Sequence, residues 1–291
     1  MKQHQATHYL HTSNVLGEGP IWHPIENAYY WVDIENCQVC RFYLESEKIE
    51  VKTLGTSVGA LAFRESGGLL LATGKGLGFW SFDDPTLRII ANPVNNQPGV
   101  RLNDGKVDSL GRFWVGSLDQ GGNAALYRLD PDHTCTTILI NLKIANGLAW
   151  SLDQETFYFT DSGDHAIYTY TFNIQKGLIT KRKTFAQLPA DNSKGTPDGL
   201  TIDSEGCIWS AIWGGGKITR YSPTGNPILE INLPVSRVTS CTFGGKDMKD
   251  LFITTASIGL TEEEIKLQPL AGDIFTYHTE VEGIRTPFFA G

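Results

Sequence analysis

Six short runs rich in β-branched and aromatic residues recur along the chain: AYYWVDI, GGLLLATG, GRFWVGSL, TFYFTDS, GCIWSAIW and KDLFITTA, each bounded by Gly, Asp, Asn or Ser. A second short run and a turn precede each one, as in IWHPIEN, LAFRESG, KVDSLG, LAWSLDQ, LTIDSEG and CTFGGKD, and most are followed by a third, such as ALYRLDPD or KITRYSPTG. Alignment of the units on the residue ahead of the first apolar strand picks out Glu18, Gly59, Asp104, Asn146, Asp198 and Thr239, separated by 41, 45, 42, 52 and 41 residues. A strand-rich unit repeating every ~40–50 residues predicts a β-propeller. The expected fold is therefore all-β, a six-bladed β-propeller spanning residues 1–291 as one domain; a β-sandwich would not require six matching units. The glycines of SLGR and SEGC stand where a tight hairpin needs positive φ. TEEEIKL is long enough for a helical turn or two. THYLHTS, ahead of the first unit, is placed to lend a strand to the last blade and close the ring.

The formal net charge of −8 disfavours partners that reward a basic surface, nucleic acid and anionic membrane among them. The first residues, MKQHQATHYLHTSNV, hold no apolar leader core, and no apolar run approaches the ~20 residues of a membrane span. An odd count of five cysteines argues against a complete disulfide framework. Cys37 and Cys40 form a CxxC with no second pair to complete a zinc site. A reduced, cytoplasmic protein without an obligate protein partner is expected.

In a propeller the residues that open the innermost strands gather at one mouth of the central channel. Glu18, Asp104, Asn146 and Asp198 would bring oxygen donors there, while Gly59 and Thr239 add little bulk. Carboxylate and amide oxygens suit Ca²⁺ or Mg²⁺ and tolerate Mn²⁺ or Zn²⁺. Asn-Gly and Asp-Gly are also common turn dipeptides, so each position alone reads equally as a turn. Glu18 is the exception, because Glu is not a turn former. Other candidates carry less chemistry. GTSVG, with Ser57 at its centre, lacks the helix that a nucleophile elbow requires. GKGLG reads as a hairpin, Asp33 and Asp161 as caps at strand ends, and His23 as part of a turn. The seven histidines show no pair at metal-ligand spacing, and Trp114, Trp150 and Trp209 read as packing between blades.

LGEGPIW, RLNDGKVDSLGRFWVGSLD, IANGLAWSLDQETFYFTDS, PDGLTIDSEGCIWSAIWGGGKITRYSPTG and the terminal GDIFTY…FFAG follow one another in an order that resembles the gluconolactonase / regucalcin (senescence marker protein) / luciferin-regenerating enzyme family. The resemblance covers nearly the whole chain and implies a six-bladed propeller. It further implies one divalent metal ion held by Glu18, Asn146 and Asp198, with Asp198 also the acid/base, and substrate contacts from Arg101 and Asn103. The family pattern thus selects Asn103, where the repeat alignment selects its neighbour Asp104. Some members carry a substrate-contacting acid in the loop after GRFWVG; here SLDQGGNA offers only Asp119. The implied activity is hydrolysis of a sugar lactone such as gluconolactone, xylonolactone or arabinolactone to the aldonic acid. A calcium-binding regulatory protein without activity, or a hydrolase of another lactone or ester, are the alternatives.

Overall fold

Each aromatic run becomes the second strand of an antiparallel sheet, and there are six such sheets. In the computed structural model, which describes residues 1–119 and 121–291, blades 1 to 6 open with the inner strands Gly17–His23, Val58–Phe63, Val100–Val107, Ala145–Trp150, Thr196–Ile202 and Val238–Gly244. Every inner strand packs against the inner strands of the two neighbouring blades, which closes the ring around a channel. The second strands lie between neighbouring sheets. Ala28–Asp33, Leu69–Thr73 and Leu251 to Thr255 are buried throughout, which explains why they read as continuous apolar runs instead of alternating ones. Trp114 and Trp209 are fully enclosed, and the Trp114 and Trp150 rings meet edge-on at 5.9 Å.

The fourth, outermost strands were the hardest to foresee. Lys48–Thr53 and Leu178–Gln187 are mostly exposed and polar, so they carry no apolar signal. The strand Thr7–Leu10, inside the segment expected to close the ring, is the outer strand of blade 6. Ahead of it, Lys2–Gln5 adds a parallel fifth strand to blade 5, which its sequence KQHQ did not suggest. The hairpin glycines Gly111 and Gly206 have φ of 74° and 76°. A strand follows Ser57, so no nucleophile elbow exists there. Glu262–Leu267 forms one short helix, with Thr261 and Glu264 in a reciprocal capping box. No described helix is long and apolar enough to cross a membrane.

Two expectations are corrected. The aligned residues do not precede the inner strands; they lie within them. Every inner strand carries one extra residue against its partner at that point, between Glu18 and Ile21, Val58 and Ala60, Leu102 and Gly105, Asn146 and Leu148, Pro197 and Leu200, and Val238 and Ser240. A bulge of this kind re-aims a side chain without ending the strand. The glycines that follow are needed for close approach, not for turns: a Cβ on Gly199 would strike Ser240, and one on Gly147 would strike the Asp198 carbonyl. The second correction concerns histidine. His8 and His11 do converge, on Asp273, because the closing strand brings the two ends of the chain together. Cys37 and Cys40 gain no third His, Cys, Asp or Glu ligand among the described residues, and all five cysteines are free.

Candidate active site

The bulges, with Arg101 just ahead of the one in blade 3, bring Glu18, Arg101, Asn103, Asn146 and Asp198 to the wall of one cavity of about 690 Å³ at the channel mouth. They come from four different blades. Glu18, Asn103, Asn146 and Asp198 are all buried. The bulge also decides between Asn103 and Asp104. In blade 3 the residues left unpaired are Asn103 and Asp104, and in blade 5 they are Asp198 and Gly199. Asn103 therefore shares the register of Asp198, and Asp104 sits one residue further along. Asp104 is only half-buried and does not line the cavity.

Two anchors hold the ligand-bearing strands. Asp33, at the end of the second strand of blade 1, accepts hydrogen bonds from the amides of Val15 and Leu16 at 2.9 and 3.1 Å, just ahead of Glu18. Asp161 does the same in blade 4 for Lys143 and Ile144, both at 3.0 Å, just ahead of Asn146. Both carboxylates are capping groups, as their strand-end positions suggested. Asp119 occupies the equivalent strand end in blade 3 but is not among the cavity residues; its carboxylate accepts from the amides of Gly121 and Asn123 in its own loop. His23 accepts from the Glu26 amide within a hairpin.

A chain of amide contacts links the mouth. Arg101 donates to Asn103 Oδ1, and Asn103 Nδ2 donates to Asn146 Oδ1 at 2.6 Å and to the Ala145 carbonyl at 2.9 Å. Asn146 Nδ2 donates to Ser162 Oγ at 2.8 Å, and Ser162 donates onward to the Pro197 carbonyl at 2.7 Å. Ser162 thus fixes which end of the Asn146 amide is oxygen and ties blade 4 to the residue before Asp198. Sequence reasoning missed Ser162, although it follows directly on the capping Asp161. It also missed Trp213 and Arg237, which line the far wall with the Arg237 guanidinium 4.8 Å from the Trp213 ring centre. They lie at and beyond the WGGG turn, with no repeat register to mark them.

Electrostatically the mouth is an unsolved problem for the protein alone. Burial, followed by the charge of Asp104, pushes the Glu18 carboxyl up to about 8, against the Gly19 amide and Arg101, which favour its charge. Burial, then Glu18 and Asp104, raises Asp198 well above the usual carboxylate range. Asp198 Oδ1 is buried and has no hydrogen-bond partner among the described residues. A buried, unpartnered carboxylate oxygen is costly, and two crowded carboxylates beside an amide oxygen form a hard-oxygen donor set. A divalent cation would satisfy the oxygen and neutralise the repulsion, so the residues present fit one. Deeper in the channel, Lys106 donates to the Leu200 carbonyl across the ring at 2.8 Å; burial raises the Asp104 carboxyl, and the charge of Lys106 offsets that only in part.

The sequence matches the model of the SMP-30/gluconolactonase/LRE-like region over residues 16–257. It is 37% identical over 268 residues to regucalcin of Danio rerio, covering 90% of each chain. Among solved structures, a calcium-binding protein described as regucalcin from Agrobacterium tumefaciens superposes with a TM-score of 0.94 at 28% identity, covering 100% of both chains. A gluconolactonase from Xanthomonas campestris shares the fold, with a TM-score of 0.69 at 22% identity over 94% of this chain and 86% of the other.

Proposed function

We propose, on the premise that this chain belongs to the SMP-30/gluconolactonase/LRE-like family, that it is a metal-dependent sugar lactonase opening aldonolactones to aldonic acids. The observation that carries this reading is the buried, unpartnered Asp198 Oδ1 beside Glu18 and Asn146, in a cavity also lined by Arg101 and Asn103. Glu18, Asn146 and Asp198 hold one divalent ion, with Ca²⁺, Zn²⁺, Mn²⁺ and Mg²⁺ all within the range of the donor set. When bound, the ion supplies Lewis acidity that polarises a lactone carbonyl and offsets the negative charge developing on its oxygen.

The chain's own residues do the rest. Asp198 accepts the proton of an attacking water as that water's oxygen bonds to the carbonyl carbon. It returns the proton to the ring oxygen as the carbon–oxygen bond breaks, leaving a hydroxy acid. Such proton transfer is worth typically 10²–10⁴-fold. Arg101 and Asn103 orient the sugar hydroxyls, Arg101 through charge-assisted bonds. A protein that only bound calcium would need neither of them at the mouth, which favours the hydrolase over the regulatory reading. Five free thiols support a reducing, cytoplasmic setting.

The test is acid release from a panel of gluconolactone, xylonolactone and arabinolactone by chelator-stripped protein resupplied with each metal. Hydrolysis above the spontaneous rate that returns with metal supports the reading. Metal binding without any acceleration would move the assignment to a binding protein or to a non-sugar ester.

A further inference from the structure

We propose that His8, His11 and Asp273 form a second metal site, of the zinc class, that staples the closing strand to blade 6. The site shares no residue with the cavity at the channel mouth. His8 Nε2 and His11 Nδ1 both lie 2.9 Å from the same oxygen, Asp273 Oδ2, and the three potential ligand atoms all fall within 4.8 Å of one another. The edges of a tetrahedral zinc site with ligands at 2.0–2.1 Å are about 3.3 Å, so each nitrogen–oxygen pair has to separate by only a few tenths of an ångström to take an ion.

The carboxylate is already prepared for one-oxygen ligation. Asp273 is buried, and its Oδ1 is committed to the amides of Thr12 and Ser13 at 2.9 and 3.0 Å, which aims Oδ2 at the two rings. Such second contacts are how a ligating carboxylate is usually oriented. The His8 ring is further fixed edge-on against Phe275 with centroids 5.6 Å apart. Neither His8 Nδ1 nor His11 Nε2 has a protein hydrogen-bond partner among the described residues, so each can carry the ring proton when the other nitrogen ligates. Two imidazoles and a carboxylate favour Zn²⁺ over Ca²⁺, which prefers oxygen alone.

The placement gives the site a consequence. His8 pairs with Phe275 in the ladder that joins the N-terminal strand to blade 6, and this pairing closes the ring. A metal bridging residues 8, 11 and 273 binds only the closed form, so it stabilises closure in proportion to its saturation.

The experiment uses the full chain, stripped with chelator and held in millimolar Ca²⁺, titrated with Zn²⁺ and separately with Co²⁺ as a spectroscopic probe. Wild type, His8→Gln, His11→Ala and Asp198→Asn are compared by equilibrium dialysis, visible absorption and melting temperature. Both histidine variants should take up one Zn²⁺ fewer than wild type, lose the corresponding Co²⁺ band and keep wild-type lactone hydrolysis. The same Zn²⁺ should remain in Asp198→Asn, and its binding should raise the melting temperature by roughly 2–5 °C at 100-fold excess over Kd. His11 is largely exposed, with 73% of its side-chain surface accessible, so its removal leaves a folded chain on which to read the result. Equal zinc uptake by wild type and His11→Ala overturns the proposal. So does a melting temperature lowered equally with and without Zn²⁺, which would make the cluster a hydrogen-bonded latch alone.

Discussion

Buried carboxylates stand at both ends of blade 5, and they are treated in opposite ways. At the end away from the mouth, Asp203 accepts from the amides of Glu205 and Cys207, the Trp209 indole at 2.8 Å and Arg220 Nε at 2.8 Å. Asp108 in blade 3 repeats the pattern with Leu110, Arg112 and the Trp114 indole. The motif is visible in the sequence as DSLGRFW and DSEGCIW. At the mouth, Asp198 lies in the same strand as the residue leading into Asp203, yet one of its oxygens has no partner among the described residues, and the charges of Glu18 and Asp104 outweigh that of Arg101. A carboxylate saturated by donors and one cation belongs to the fold. A carboxylate left unsaturated among its own kind is held in place for something that is not protein.

The sharpest way to break this contrast is to remove one charge from each end. Asp198→Asn should cut lactone turnover by roughly 10²–10⁴-fold, while Asp203→Asn should leave turnover per folded molecule within a few-fold of wild type. Acid release under saturating metal reads both, and equal losses would erase the distinction. Stability should respond in the reverse order. Asp203→Asn takes from Arg220 its buried partner, leaving it the exposed Glu205 at 2.6 Å, and should cost about 2–3 kcal/mol in denaturant unfolding. Asp198→Asn should stabilise the metal-free chain, because a neutral amide does not have to take up a proton to be buried there, and a destabilisation as large as that of Asp203→Asn would contradict the account.

A third test uses pH. Glu18 keeps its proton to about 8 in the folded chain, against an ordinary value of 4.5, so between those values the folded state holds a proton that the unfolded state has lost. Stability of the metal-free protein should therefore be greatest below about pH 4.5 on this group's account and fall as pH rises toward 8. Saturating Ca²⁺ should flatten that decline, which melting curves with and without the ion would reveal. The smallest effect expected is at Asn103. Asn103→Ala removes an orienting amide but no charge, and should raise KM roughly tenfold with kcat nearly unchanged. A kcat loss approaching that of Asp198→Asn would give Asn103 a part in the chemical step.

The six-fold repeat was legible because second strands buried on both faces must be apolar throughout, and the turns between strands need Gly at positive φ. The polar outer strands and the Lys2–Gln5 addition were not, since an edge exposed to water imposes no apolar pattern. Glu18, Asn146 and Asp198 could be grouped from the repeat alignment, though together with Asp104. The choice between Asn103 and Asp104 could not, because a bulge shifts the register by one residue and only the pairing reveals where. Arg237, Trp213 and Ser162 lie where blades meet loops, and loop geometry sets their positions. The histidine pair escaped notice because its third member, Asp273, is 262 residues away from His11.

The most direct measurement is calorimetry of Ca²⁺ binding to stripped protein at pH 7, in buffers of different ionisation heat. If Glu18 and Asp198 are held protonated at the mouth until a cation arrives, one Ca²⁺ should bind with release of at least about one proton. Asp198→Asn should weaken that binding and release fewer protons, while Asp203→Asn should behave as wild type. Binding without proton release, or with the same release in Asp198→Asn as in wild type, would contradict the claim that these carboxylates are the cation's site.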